Sequence, residues 1–206
     1  MKVKICGLHT EEAVLAAEDA GADFLGFIFY EKSHRHVLPE EVRGLTKHVR
    51  RAKRVGVFVD APLDAVNAAA DFCSLDFVQL HGHESAAYAC AICRPVIKAF
   101  RWGDDFSVEK ANEYPAEIIL LDSFSKDAVG GTGQRFRWRE AAEETVRLEK
   151  PLLVAGGIAS GNVREAEEVF RPYGVDVSGS LEIEKRKSVE RIREFMAVVQ
   201  KRRIPE

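Results

Sequence analysis

Two rhythms of hydrophobic and polar positions alternate along the chain. Short β-branched or aromatic runs are each followed by a longer segment whose apolar residues recur at helical spacing. The first strand is expected at about Val3 to Cys6. Its helix is opened by Thr10 as N-cap, carries Ala13, Leu15, Ala16 and Ala20, and ends near Gly21. The second strand runs from Phe24 to Tyr30, and Pro39 stands in the first turn of a helix reaching Val49. Strand three, Arg54 to Val59, precedes a helix from Pro62 with Val66, Ala69 and Ala70. Strand four, Phe77 to Leu80, precedes one from His83 to Ile92. Strand five, Val96 to Phe100, is followed by a weaker helix over Val108 to Tyr114. Strand six, Ile118 to Asp122, is followed by a glycine-bearing loop from Ser123 to Gln134 and a helix from Trp138 to Leu148. Strand seven is Leu152 to Ala155, with a helix from Asn162 to Phe170. Strand eight is Val175 to Val177. The last helix, Ser188 to Lys201, carries Val189, Ile192, Phe195, Met196 and Val199 on one stripe.

Strict alternation implies parallel strands with right-handed crossovers. Eight units favour a closed (β/α)8 barrel over an open doubly wound sheet. An open sheet would more often carry five or six strands and a glycine fingerprint after the first. Here Gly7-Leu8-His9-Thr10 stands in that place. The pattern shows no linker or low-complexity stretch, so residues 1–206 are read as a single barrel domain.

Composition narrows the class. Thirty Lys and Arg against 33 Asp and Glu leave a net charge of −3, which gives no reason to expect a nucleic-acid partner. At 46% hydrophobic and 31% charged residues the chain reads as globular. No apolar run approaches the roughly 20 residues that cross a bilayer, and the N-terminus carries no signal-peptide core. Four cysteines do not make a disulfide scaffold, so a cytoplasmic protein with reduced thiols and no membrane partner is expected.

In a barrel, chemistry gathers at the C-terminal strand ends. Cys6 ends strand one and Asp122 strand six, a candidate base and acid across the mouth. Lys4 lies two residues before Cys6, on the same face, where an ammonium favours the thiolate. Gly156-Gly157 after strand seven and Ser178-Gly179-Ser180 after strand eight bring backbone N–H groups to where barrels bind phosphate. Arg35 has the planar fork that clamps a carboxylate or phosphate, and Gln79 and His81 stand at the end of strand four. Each also has a structural reading. Cys6 is then a small buried apolar residue, Asp122 a loop carboxylate, Arg35 a solvated charge, and His81 a satisfied strand-end histidine. His81-x-His83 with Cys90-x-x-Cys93 has the residue types of a zinc site. On one helix, however, Cys90 would lie about 10 Å along the axis from His83, so no metal is expected.

In this order the residues resemble the phosphoribosylanthranilate isomerase family over essentially the whole chain. The resemblance is carried by Lys4-Ile5-Cys6-Gly7, Leu25-Gly26-Phe27-Ile28-Phe29 with Ser33-x-Arg35-x-Val37, and Val78-Gln79-Leu80-His81-Gly82-x-Glu84. Leu121-Asp122, Gly130-Gly131-Thr132-Gly133, Ala155-Gly156-Gly157 and Gly174-Val175-Asp176-Val177-Ser178 complete it. The resemblance implies a TIM barrel that works without a cofactor in tryptophan biosynthesis, on a small phosphosugar substrate, as a monomer or homodimer. Carried over, Asp122 is the general acid in an Amadori rearrangement and Cys6 the base. Arg35 holds the anthranilate carboxylate, and Gly156, Gly157, Ser178, Gly179 and Ser180 hold the phosphate. The loop from Ser123 to Gln134 would be a cover that excludes water.

The chain departs from the family pattern in places. After strand eight it reads Ser178-Gly179-Ser180-Leu181-Glu182 where the pattern has Ser-Ser-Gly-Val-Glu. Ile183 to Ser188 replaces Pro-Gly-x-Lys-Asp, and Phe136-Arg137-Trp138 replaces Phe-Asp-Trp. The alternatives are an epimerase of a neighbouring phosphosugar barrel, a catalytically dead barrel kept as a scaffold, and an isomerase that also serves the histidine pathway. The first wants a metal or carboxylate pair that strands one and two do not supply. The second is opposed by intact Cys6 and Asp122, and the third usually has Asp where Cys6 stands.

Overall fold

The computed structural model describes residues 1–103, 106–122 and 133–201, with 133–137 in backbone only. Eight parallel strands form a closed barrel: β1 (Lys2–Cys6), β2 (Phe24–Ile28), β3 (Lys53–Phe58), β4 (Phe77–Leu80), β5 (Val96–Arg101), β6 (Ile118–Asp122), β7 (Leu152–Ala155) and β8 (Gly174–Val177). β8 returns to β1, with Lys2 opposite Gly174 and Ile5 opposite Val177, so the barrel sheet has no open edge.

The pleat sorts the side chains into two cores. Phe24, Val55, Phe77, Ile97, Ala99, Ile118, Leu120, Leu153 and Ala155 fill the barrel interior. Their neighbours, among them Ile5, Leu25, Val78, Leu121 and Val175, point outward and are covered by helices. These are α1 (Glu11–Asp19), α2 (Pro39–Leu45), α3 (Leu63–Phe72), α4 (Ala86–Cys90), α5 (Val108–Glu113), α6 (Gly133–Thr145), α7 (Val163–Phe170) and α8 (Val189–Gln200). The same alternation turns Lys4, Cys6, Gln79, Asp122 and Asp176 inward, which puts a set of polar groups at the barrel mouth.

Helix starts follow their caps. Thr10, Ser85, Ser107 and Ser188 each accept a hydrogen bond from the backbone N–H three residues on, a contact worth about 1 kcal/mol. The Ser85 cap explains one difference from the sequence pattern. α4 starts at Ala86, not His83, and the freed segment lets the Glu84 carboxylate bind the N–H groups of Asp60 and Gly82. α2 stops at Leu45, short of Val49, where the Thr46 hydroxyl donates to Val42 O. α6 begins earlier than the expected Trp138, and β2 ends at Ile28, two residues short of Tyr30.

A second difference follows β8. The chain makes a 3-10 turn (Gly179–Leu181) and a small hairpin, β9 (Glu182–Ile183) with β10 (Arg186–Lys187). Glu184 and Lys185 turn it with φ of 49° and 64°. Such turns normally advertise themselves with Asn-Gly or Asp-Gly, so the hairpin left no mark in the sequence pattern. Among the described residues no helix is long and apolar enough to cross a membrane.

Candidate active site

Cys6 closes β1 and is nearly buried. Two glycines make room around it. A Cβ on Gly26 would stand 2.9 Å from Cys6 Sγ and 3.0 Å from Lys4 Nζ. A Cβ on Gly7, whose φ is 77°, would stand 2.4 Å from Arg35 Cδ. The Arg35 side chain therefore lies across bare backbone beside the thiol.

Lys4 is fully buried below Cys6 and pairs with Asp176 at 3.0 Å. Burial pushes the Cys6 thiol up. Lys4 opposes that rise, Asp176 adds to it, and Lys187 opposes it. The ammonium thus acts in the direction expected from the sequence, but burial outweighs it, and the net shift is upward. Burial also leads for Asp176, whose carboxyl stays raised despite Lys4.

Arg35 is gripped by Glu182, which accepts from Nε and, at 2.9 Å, from Nη2. Lys187 Nζ reaches the same carboxylate at 2.6 Å, and His34 Nε2 lies 3.2 Å from it. Burial alone would raise the Glu182 carboxyl. The bonds from Arg35, Lys187 and His34 override that and hold it down to about 2. Lys187 Nζ also donates to Ser178 O at 3.1 Å, and Ser178 Oγ donates to Cys6 O at 2.9 Å. The hairpin after β8 is thereby locked to the end of β1.

Opposite, Asp122 ends β6 with Oδ2 4.0 Å from His81 Nε2. The His81 N–H donates to Phe58 O, so the pleat of β4 runs one residue further and His81 faces inward like Gln79. Gln79 Nε2 lies 2.9 Å from His81 Nδ1. His81 is pushed down to about 4, first by burial and then by the cations Lys4, Arg101 and Lys98, with Glu84 opposing. A cavity of about 400 Å³ opens here, lined by Val59, Asp60, His81, Gly82, Ala99 and Arg101.

Beside β8, Gly156 and Gly157 take φ of 86° and 70°. The Ser180 hydroxyl donates to Ile158 O at 2.6 Å, tying the two loops together. In the 3-10 turn the first N–H with an acceptor inside the turn is that of Leu181, to Ser178 O. The amides of Gly179 and Ser180 precede it and have no acceptor among the described residues.

The model of the N-(5'phosphoribosyl)anthranilate (PRA) isomerase family matches residues 3–198. The chain belongs to this family. The N-(5'-phosphoribosyl)anthranilate isomerase of Geobacter sulfurreducens is 45% identical over 198 residues, covering 95% of this chain and 97% of the relative. A crystal structure of a phosphoribosyl anthranilate isomerase in complex with reduced 1-(o-carboxyphenylamino)-1-deoxyribulose 5-phosphate is similar at a TM-score of 0.85 and 33% identity. It covers 98% of this chain and 99% of that one. Monomers generated from the dimeric enzyme of Thermotoga maritima are similar at 0.84 and 32%, with the same coverage.

Within this isomerase barrel, Cys6, Arg35 and the Ser178–Ser180 turn come together on one side of the mouth, and His81 and Asp122 on the other. Gln79 is the exception among the expected contact residues: only 1% exposed, it lies beneath His81. The hydroxyls of Ser178 and Ser180 are committed to carbonyls, which leaves backbone N–H groups for an anion. The covering loop from Ser123 lies, up to residue 132, outside the described residues. Sequence reasoning missed Glu182, Lys187, Asp176 and Arg101 as members of the site. Asp176 had a signal, a carboxylate between valines at an inward strand position. Glu182 had one in the Glu that ends the family pattern after strand eight, but the hairpin that brings it and Lys187 to Arg35 was not legible. Among the described residues no group of three His, Cys, Asp or Glu side chains could hold a metal. Cys93 Sγ lies near Asp71 and Arg94, and His83 is in a loop, not on a helix with Cys90.

Proposed function

We propose that this protein catalyses the Amadori rearrangement of N-(5-phosphoribosyl)anthranilate to 1-(2-carboxyphenylamino)-1-deoxyribulose 5-phosphate in tryptophan biosynthesis, with Asp122 as acid and Cys6 as base. The observation that carries the reading is the arrangement at the mouth. A carboxyl group faces a buried thiol across it, with a guanidinium and a glycine-rich pair of loops beside the thiol.

Asp122 gives its proton to the ribose ring oxygen as the C1–O bond breaks, and the anilino nitrogen becomes a protonated Schiff base. Cys6, as thiolate, takes the proton from C2. The electron pair of that C–H bond moves toward the iminium and leaves an enolamine, which tautomerises to the ketone. Burial raises the Cys6 thiol, and Lys4 and Lys187 are the cations that work against that rise and favour the thiolate. The iminium adds positive charge at the moment the base is needed. Arg35 receives the anthranilate carboxylate on the guanidinium edge that Glu182 does not occupy. The phosphate rests on the backbone of Gly156, Gly157, Gly179 and Ser180, with Ser178 holding the turn.

The chain acts in this reading as one barrel domain, monomeric or homodimeric, in the cytoplasm, where its four free cysteines stay reduced. The test is turnover of freshly prepared substrate, followed by the loss of its fluorescence. Fast turnover in the wild type, with losses of several orders of magnitude in Cys6→Ser and Asp122→Asn, supports the assignment. A folded wild type without turnover overturns it.

A further inference from the structure

We propose that Gln79 is a positioning residue that fixes His81 as the neutral imidazole with its proton on Nε2, so that His81 donates to the same substrate oxygen that Asp122 protonates. This rests on the isomerase reading for the identity of that oxygen, but not for the state of the imidazole.

The argument begins with the two side chains. Gln79 and His81 are two residues apart on one continuous pleat, so both turn inward, one above the other. The upper one is open to the mouth, with a quarter of its side chain exposed, while the lower one is buried. Substrate therefore reaches His81 and not Gln79. The contact between them joins an amide nitrogen, which can only donate, to Nδ1 at 2.9 Å. With the amide nitrogen turned to the ring, Nδ1 offers its lone pair and a neutral ring carries its proton on Nε2; the reversed amide would instead accept from an Nδ1–H.

That proton points toward the acid. At 4.0 Å, Nε2 and Asp122 Oδ2 are too far apart for a direct hydrogen bond. One oxygen atom placed between them can meet both. The ring oxygen that leaves C1 would take the proton of Asp122 and a hydrogen bond from His81. A charged imidazolium could compete with Asp122 as proton donor, and an Nδ1–H tautomer would turn a lone pair toward the oxygen instead.

The surroundings keep the ring neutral. Lys4 from β1 and Arg101 and Lys98 from β5 are the cations that act on it; Glu84 from the loop after β4 opposes them, and the carboxyl of Asp122 from β6 lies 4.0 Å away. The cations and burial prevail. Gln79 Oε1 is buried without a hydrogen-bond partner among the described residues. A buried polar atom left unpaired weakens the fold, so a glutamine here is better explained by what its nitrogen does for His81 than by packing.

The test reads the imidazole nitrogens of the intact free enzyme by 15N NMR, with His81 assigned by difference from His81→Asn. The expected wild-type spectrum shows a bare Nδ1, a protonated Nε2 and no titration of this ring between pH 8 and about 5.5. Gln79→Glu should move the proton to Nδ1 and bring the ring's titration into the neutral range. Gln79→Met, close in size, should give mixed tautomers, a melting temperature no lower than the wild type, and a kcat about tenfold to a hundredfold lower with KM nearly unchanged. A wild-type ring protonated on Nδ1, or a ring that titrates near its ordinary value, overturns the proposal whether or not the variants fold. A Gln79→Met enzyme with wild-type kcat does the same. If the wild-type ring is as expected but substrate is not turned over, the isomerase reading fails and the Gln79–His81 arrangement stands.

Discussion

Glu182 grips the guanidinium of Arg35 along one edge, taking Nε and Nη2 with its two carboxylate oxygens. Nη1 and the second hydrogen of Nη2 form the remaining fork of donors on the guanidinium. A side chain with many rotamers is thus held in one pose before any ligand arrives, so ordering it costs little on binding. Replacing Glu182 by Gln keeps the shape but weakens that hold. The expected result is a KM raised roughly tenfold with kcat changed much less. Steady-state kinetics at pH 7 decides it, and an unchanged KM would remove Glu182 from the binding apparatus.

The same carboxylate gives a pH signature. Its pKa is held down to about 2 from an ordinary value of 4.5. A depressed carboxyl stabilises the fold above its unfolded pKa, and that stabilisation is lost as pH falls through the folded one. Wild type should therefore exceed Glu182→Gln in stability at pH 7 by about 1–3 kcal/mol, and the gap should close between pH 4.5 and about 2. Urea unfolding at several pH values measures it. A gap that stays constant across the window would show that ionisation of Glu182 is not its source.

Asp176 and Lys4 set the thiol in opposite directions. Asp176 raises Cys6 and Lys4 lowers it. Asp176→Asn should shift the Cys6 titration downward, and Lys4→Met should shift it upward. Thiolate absorbance near 240 nm, corrected with Cys6→Ser, follows both. Each single variant also breaks a buried ion pair and should lose about 3–5 kcal/mol of stability. Equal titrations in the two variants would mean that burial alone governs the thiol.

The barrel was legible because its evidence is repetitive: eight apolar runs each followed by a helical stripe, with caps such as Thr10 and Ser188 marking the starts. Cys6, Asp122 and His81 were legible as polar residues at inward strand ends. What escaped was whatever depends on contacts far apart in the chain. Glu182 meets Arg35 across 147 residues and Lys4 meets Asp176 across 172. The family pattern marks Glu182 and not Glu184, but nothing local says that it meets Arg35. The net effect on the Cys6 thiol escaped for a related reason. A neighbouring lysine can be read from the sequence, but the depth of burial that outweighs it is a property of the closed barrel.

Gly26 tests how tightly the mouth is packed. Its missing side chain leaves the space that Cys6 Sγ and Lys4 Nζ occupy, and a Cβ there would meet both at 3.0 Å or less. Cys6 Cα is equally close, so backbone must move as well. Gly26→Ala should cost about 1–3 kcal/mol, a fall of several degrees in melting temperature. It should also displace the thiol and reduce kcat. A variant with native stability and full activity would show that β1 and β2 can separate without disturbing the site.

Behind β4, Lys98 and Glu84 hold the loop that carries His81. Lys98 Nζ donates to Glu84 Oε2 at 2.9 Å and to Gly82 O at 2.6 Å, with both side chains nearly buried. Glu84 in turn accepts from the N–H groups of Gly82 and Asp60, so the ion pair clips the ends of β3 and β4 together. Removing one partner strands the other without water. Lys98→Met and Glu84→Gln should each cost about 3 kcal/mol, and the double variant clearly less than their sum. Tyr114, whose hydroxyl donates to Glu84 O, should keep the loop folded in the double variant while its precision is lost. Activity should then fall even where stability recovers. A double-mutant cycle in urea, with kinetics on the same four proteins, separates the two effects. Additive costs within about 0.5 kcal/mol would show that the two side chains do not act as a unit.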